Sequence, residues 1–114
     1  MSDKYLPHID MNDGVARVMN NKGLYLTLLS RFKLRPMTEA LLAAIASGEH
    51  AQVTQAAHAL RGTAANLGLP TLGALTGDIE QLGKKAESAS AFVQPLSDLL
   101  ETLEPLIAQA IADK

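Results

Sequence analysis

Apolar residues recur at alternating intervals of three and four along much of this 114-residue chain, and this spacing limits its possible folds more than any other feature. A helix turns by about 100° per residue, so such intervals bring the residues to one side of a helix. The longest run lies near the C-terminus and comprises Val93, Leu96, Leu100, Leu103, Ile107 and Ala110. Two shorter runs precede it: Val53, Ala57, Leu60, Ala64 and Leu67, and then Leu72, Leu75, Ile79 and Leu82. The spacing predicts an all-α protein.

The composition agrees with helix-on-helix packing and excludes several classes of protein. Hydrophobic residues make up 47% of the chain and aromatic residues only 4%, and the abundant alanine and leucine favour helices. Because there is no cysteine, disulfides and thiolate metal sites are excluded and a reducing compartment is expected. The net charge of −2 argues against nucleic-acid binding. No apolar run reaches the roughly 18 residues that cross a bilayer, and the N-terminus lacks a signal-peptide pattern. We expect one cytoplasmic, monomeric domain with neither nucleic acid nor membrane as a partner.

The first residues of the chain differ from the rest. Residues 1–11 are expected to form an extended leader, because Pro7 holds the residue before it out of helical geometry. Residues 12–114 then form a single helical domain, with Asn12 or Asp13 capping a short first helix. That helix would include three apolar residues: Val15, Val18 and Met19.

Glycine and proline mark the boundaries of the longer helices. The apolar stripe of residues 24–47 changes face near Pro36, which predicts one kinked helix or two nearly collinear ones. A further helix over about residues 49–67 would end at Gly68, and the next would begin at Pro70.

The last helix contains two prolines, Pro95 and Pro105. A bend is expected at Pro105, whereas Pro95 fits either the first turn or the interior of the helix. Four long amphipathic segments joined by short breaks predict an antiparallel up-and-down four-helix bundle with a short extra N-terminal helix.

His58 is the most informative single residue. It lies roughly 140° from the centre of the apolar stripe of its helix, so its imidazole should face solvent, where another macromolecule can reach it. Its neighbours on this face are small apart from one cation: Ala51, Thr54, Arg61, Gly62 and Ala65. A glycine in a helix interior costs about 1 kcal/mol relative to alanine. Gly62 therefore suggests either room beside the imidazole or close packing of a neighbouring helix.

The residues around His58 form a pattern that resembles a known family. Residues 58–62 read His-Ala-Leu-Arg-Gly, and Gly68 follows after five residues. This is similar to the phosphoacceptor helix of histidine-containing phosphotransfer (HPt) domains, whose usual pattern is His-x-Leu-Lys-Gly, five residues and a glycine. The likeness extends upstream to residues 13–17 and 25–32 and downstream to Leu72, Leu75 and the pair Ile79-Glu80. Arg61 departs from the pattern, because a planar guanidinium replaces the compact charge of lysine.

The resemblance implies a role in phosphoryl relay. Members of the family accept a phosphoryl group on the histidine, here His58, from the aspartyl phosphate of one receiver domain and pass it to the aspartate of another. They have no nucleotide site and no kinase activity, so this chain would be a phosphotransfer intermediate. The implied partners are receiver domains of response regulators or hybrid sensor histidine kinases. The Mg²⁺ that they use belongs to the receiver, so no cofactor is expected on this chain. Arg61 would help to neutralise the phosphorylated state, and Gly62 would leave room for it.

The expected docking surface surrounds His58 and includes the short first helix. We assign to it Val15, Val18, Met19, Thr54, Gln55 and Ala65. The alternative function is a helical adaptor that binds a signalling partner through the same face and is never phosphorylated. A cofactor-holding bundle is disfavoured, because the predicted interior supplies no ligand cluster. His8 and His50 are expected to be solvated, and no pair of acidic residues suited to acid–base catalysis is evident beside His58.

Overall fold

The computed structural model describes residues 5–113, and this part of the chain contains helices and no strand. The helices are α1 (Met11–Ala16), α2 (Lys22–Arg31), α3 (Leu34–Ser47), α4 (His50–Asn66), α5 (Pro70–Lys84) and α6 (Val93–Ala112), with a 3₁₀ turn (Ser90–Phe92) before α6. The prediction of an all-α protein is confirmed. Within residues 5–113 no helix combines the length and apolar character that crossing a membrane requires.

The apolar stripes form the core, although one of them is rotated from its expected position. The stripes of α4 and α6 are buried as the spacing predicts, apart from Val93. On α5 the buried residues are Leu72, Thr76, Ile79, Glu80 and Gly83, whereas Leu75 and Leu82 are only partly buried. The rotation follows from the close approach of α4, because a Cβ on Gly83 would overlap the Thr54 hydroxyl. The face of α5 that is richer in small residues therefore packs on α4, and the carboxylate of Glu80 is buried on the same face.

Three prolines lie inside helices and end none of them: Pro36, Pro95 and Pro105. Helices α2 and α3 are separate and are divided at Phe32 and Lys33, three residues before the kink that was expected at Pro36. Pro36 instead lies in the first turn of α3, where a missing N–H leaves no bond unmade. Pro95 likewise occupies the first turn of α6, which continues without interruption past Pro105.

The N-terminal segment packs against the domain where an extended leader was expected. Residues 5–8 form a turn in which Ile9 N donates to Tyr5 O at 3.0 Å, and both side chains are buried. Residues 1–4 of the expected leader lie outside the described residues. The cap of α1 is Asp10, whose side chain accepts from Asp13 N at 3.1 Å, and not Asn12 or Asp13.

The helix α1 is also shorter than expected, because it ends at Ala16. Val18 and Met19 therefore lie in the turn that follows it. Met19 and Asn20 both adopt left-handed backbone geometry, with φ of 59° and 62°, a conformation that costs most side chains energy. This turn connects α1 to α2.

The end of α4 is fastened to the N-terminal helices. Asp10 N donates to Gly68 O at 2.7 Å, and the buried Tyr25 hydroxyl donates to Leu67 O at 2.7 Å. Gly68 has φ of 69°, and a Cβ there would overlap Asp10 O, so only glycine fits this connection. With its end held here and its stripe packed on α3 and α5, α4 has one outward face, and that face carries His58.

Candidate phosphoacceptor site

The imidazole of His58 projects from the middle of α4, and its side chain is 65% exposed. The exposure that the helical periodicity predicts is therefore observed. A histidine in this position can be reached by a second protein without rearrangement of the helices.

One ring nitrogen is held by a buried carboxylate. His58 Nδ1 lies 2.8 Å from Oε2 of Glu80 on α5, and the Glu80 side chain is only 2% exposed. An ionised carboxylate can only accept hydrogen bonds. Nδ1 therefore carries the ring proton and donates a hydrogen bond to Glu80. In the neutral ring the lone pair available for reaction is then on Nε2.

Two cations, Arg61 and Lys84, also surround the carboxylate of Glu80. Arg61 Nε donates to Glu80 Oε1 at 2.6 Å, and Lys84 Nζ lies 3.4 Å from Oε2. The Arg61 Nη2 atom is 3.2 Å from His58 Nδ1, a contact between two donors once Nδ1 is protonated. Burial raises the pKa of Glu80, but the hydrogen bonds from Arg61 and His58 and the charges of Arg61 and Lys84 outweigh it and lower the pKa to about 2. Glu80 is therefore an anion at neutral pH.

The surface beside His58 is open at Gly62. A Cβ built at Gly62 would meet nothing within 4 Å. Close packing of a neighbouring helix, one of the two interpretations of this glycine, is therefore not observed. The free space lies one turn along α4 from the imidazole.

Comparison with known proteins identifies the family. The model of the family described as "Hpt domain" matches residues 33–112, which is more than two thirds of the chain. The chain therefore belongs to the Hpt domain family. The resemblance seen in the sequence is confirmed, and membership supports a function in phosphorelay phosphotransfer in general.

A solved structure shows the same fold as this Hpt domain. It is the crystal structure of the HPT domain from the Hpt sensor hybrid histidine kinase from Shewanella, which superposes with a TM-score of 0.81. The alignment covers 93% of this chain and 95% of that one at 20% identity, and it bears on the fold alone. No curated protein sequence matches the chain significantly.

The Hpt domain places the expected docking residues in several separate surroundings. Gln55 and Ala65 are exposed on the face of α4 that carries His58, and Val15 is partly buried against the core. Met19 is 91% exposed. Thr54 instead donates to His50 O at 2.9 Å and packs against α5.

Two grooves flank the C-terminal half of α4 in this Hpt domain. One, of about 320 Å³, lies between Arg61, Ala65 and the start of α5. The other has a volume of about 430 Å³, and we call it the α2–α4 groove. Its lining includes Val18, Leu28, Arg31, Phe32, Thr63 and Asn66.

The other histidines of the Hpt domain are not at this site. His8 Nδ1 pairs with the Thr71 hydroxyl at 2.8 Å, so His8 is partly buried and not solvated as expected. His50 begins α4 and is also partly buried. Within residues 5–113 no group of three or more histidine, cysteine or acidic side chains could hold a metal ion.

Sequence reasoning missed Glu80 as a member of the site. The apolar run on α5 predicted that Leu75 and Leu82 are core residues. In that orientation of α5, Glu80 would face away from α4. The signal that was available is the row of small residues Thr76, Gly77 and Gly83 on the opposite flank, because small residues mark the face where helices approach closely.

Proposed function

We propose that this Hpt domain is a phosphorelay intermediate that carries a phosphoryl group on Nε2 of His58, received from the aspartyl phosphate of one receiver domain and delivered to the aspartate of another. One observation carries the proposal: the hydrogen bond between Nδ1 and buried Glu80 leaves Nε2 as the nucleophilic atom of an exposed ring.

The transfer step requires no general base from this chain. The Nε2 lone pair attacks the phosphorus, an N–P bond forms, and the P–O bond to the receiver aspartate breaks, which releases a carboxylate. The Nδ1 proton remains in its hydrogen bond to Glu80, and the ring acquires positive charge as the N–P bond forms. The anionic Glu80 stabilises that charge from within the protein, where electrostatic interactions are stronger than in water.

The remaining parts of the site position the reactants. Phosphoryl transfer passes through a loose transition state, so catalysis consists mainly of positioning and charge stabilisation. Arg61 keeps Glu80 ionised through the 2.6 Å hydrogen bond and places a guanidinium beside the ring, close to the incoming phosphoryl group. Gly62 leaves the space that the receiver loops require, and the receiver supplies Mg²⁺.

The proposal includes the finer features expected from the sequence. We assign α2 and α3 together as the first helix of an antiparallel four-helix bundle, followed by α4, α5 and α6. The extensive packing of α4 on α5, which are joined by a short connection, supports this arrangement. A monomeric state and a cytoplasmic location belong to the same proposal, as does docking through Val15, Val18, Met19, Gln55 and Ala65.

A substitution at His58 tests the proposal. Purified receiver domains from the same genome are charged with acetyl phosphate and MgCl₂ and mixed with the domain, and phosphohistidine is measured by mass spectrometry under mildly alkaline conditions. The wild type should take up the phosphoryl group and His58→Gln should take up none, because glutamine can donate to Glu80 but offers no nucleophilic nitrogen. His50→Gln, on the same helix, is the matched control and should behave as the wild type.

Two outcomes would contradict the proposal. Label on His58→Gln would show that another residue accepts the phosphoryl group. Binding of a receiver to the wild type without any transfer, across the whole set of receivers, would favour the adaptor function instead. Circular dichroism of each variant checks that the helices are retained.

A further inference from the structure

The α2–α4 groove contains a cation that has no partner in the part of the chain that the structure describes. The chain has four arginines, and three of them are ion-paired: Arg17 with Asp13, Arg35 with Glu104, and Arg61 with Glu80. Arg31, the last residue of α2, is exposed and forms no hydrogen bond or ion pair through its side chain within residues 5–113. Its charge is therefore available to a partner.

Apolar side chains lie beside this cation. Val18, Leu28, Phe32 and Leu67 line the same groove, and Leu28, one turn before Arg31, is 39% exposed. Met19, at the tip of the strained turn, follows directly after Val18. An apolar groove bordered by one unpaired positive charge complements an amphipathic helix that carries an acidic residue next to its apolar ridge.

The groove lies along one flank of α4, the helix that carries His58. Thr63 and Asn66, which line it, follow His58 on α4 by five and eight residues, a rise of roughly 7 to 12 Å. A domain that places its phosphorylated aspartate over His58 and extends along this flank would therefore also cover the groove. The net charge of the chain is −2, so attraction for an acidic partner surface must come from local cations and not from the protein as a whole.

We infer that Arg31 is a specificity-determining residue, which selects receiver domains whose docking helix presents an acidic side chain to the α2–α4 groove. This inference rests on the proposed function. Arg31 acts on the encounter and affinity of the two proteins and has no part in the chemical step, because it does not contact His58, Arg61 or Glu80.

The experiment measures transfer kinetics with the receiver domain that phosphorylates the wild type fastest. Arg31→Gln should raise the KM for that receiver by about 3- to 5-fold and leave the maximal rate unchanged. This is the effect expected from the loss of one exposed ion pair in favourable geometry. The increase of KM with salt concentration should be weaker than in the wild type, because one charge pair is missing. Arg31→Lys should retain most of the affinity.

A matched control removes an equal charge elsewhere on the same helix. Lys22, the first residue of α2, is exposed and has no ion pair within residues 5–113, and it does not line the groove. Lys22→Gln should leave KM and its salt dependence at the wild-type values. Leu28→Ser should raise KM without changing the salt dependence, because it removes apolar contact alone.

The outcomes separate this inference from the proposed function. Equal KM values and equal salt dependence for Arg31→Gln, Lys22→Gln and the wild type, together with normal phosphorylation of His58, would overturn the role of Arg31 alone. Failure of the wild type to accept phosphate from any receiver would overturn the proposed function itself. A fall in the maximal rate of Arg31→Gln at unchanged KM would also contradict the inference.

Discussion

The substitution Gly62→Ala should make the protein more stable and a poorer phosphotransfer partner at once. Alanine is favoured over glycine in a helix interior by about 1 kcal/mol. At position 62 nothing offsets this gain, because the added Cβ meets no atom within 4 Å. For a domain of this size the gain corresponds to a rise of about 4 °C in the melting temperature.

The same methyl group should obstruct the receiver. It would occupy the open surface one turn from the imidazole of His58, where the proposed complex needs room. Excess volume in a packed contact costs about 1–3 kcal/mol, which corresponds to a factor of roughly 5–150 in transfer rate at subsaturating receiver. Loss of activity in a stabilised variant cannot be explained by unfolding, which makes the two measurements informative together.

The assay combines thermal melts followed by circular dichroism with the rate of phosphohistidine formation. Gly23→Ala is the control, because Gly23 is an exposed helical glycine on α2 whose added Cβ would have Asn21 Oδ1 at 3.5 Å as its nearest neighbour. It should stabilise the domain by a smaller amount, since it lies in the first turn, and transfer at the wild-type rate. If Gly62→Ala melts higher yet transfers phosphate as fast as the wild type, the space beside His58 has no role in docking.

Two further predictions concern buried polar groups. Because the pKa of Glu80 falls from 4.5 to about 2 on folding, its ionisation contributes stability that is present above pH 4.5 and lost as the pH falls towards 2. Urea unfolding across this range should therefore show a weaker acid destabilisation for Glu80→Gln than for the wild type, and ¹⁵N NMR of Glu80→Gln should show a mixture of His58 tautomers; an unchanged acid profile would contradict the assignment. Thr38 is fully buried on α3 and its hydroxyl has no hydrogen-bond partner in residues 5–113, so Thr38→Val should raise the free energy of unfolding by about 1 kcal/mol, and a loss of stability in urea would show that the hydroxyl is satisfied in solution.

The sequence predicts the helices better than their contacts. The stripe of α4 is found where its spacing places it, because spacing alone decides which face of a helix is apolar. On α5 two faces compete: one with Leu75 and Leu82, and one with Thr76 and Gly83. The second is buried, because small residues allow α4 to come close, and this choice depends on a neighbour that periodicity does not describe.

In the candidate site, too, the sequence predicts what lies on one helix but not the contact between two helices. His58, Arg61 and Gly62 form one local pattern on a single helix, so they are evident from the sequence. Glu80 comes from another helix, 22 residues further along the chain, and it joins them only through the register of α4 against α5. The prolines divide in the same way: Pro70 begins α5 as predicted, whereas Pro36 lies within the first turn of α3 and the break from α2 falls before it.

The three side chains that meet at the proposed reaction centre, His58, Arg61 and Glu80, all stand on two packed helices and none on a loop. Because both helices are packed in the domain, we expect the centre to keep this geometry when His58 carries a phosphoryl group. The frame itself would then favour neither uptake nor release of that group. Under the proposed function, the direction of net transfer would then depend on the concentrations and phosphorylation states of the two receivers.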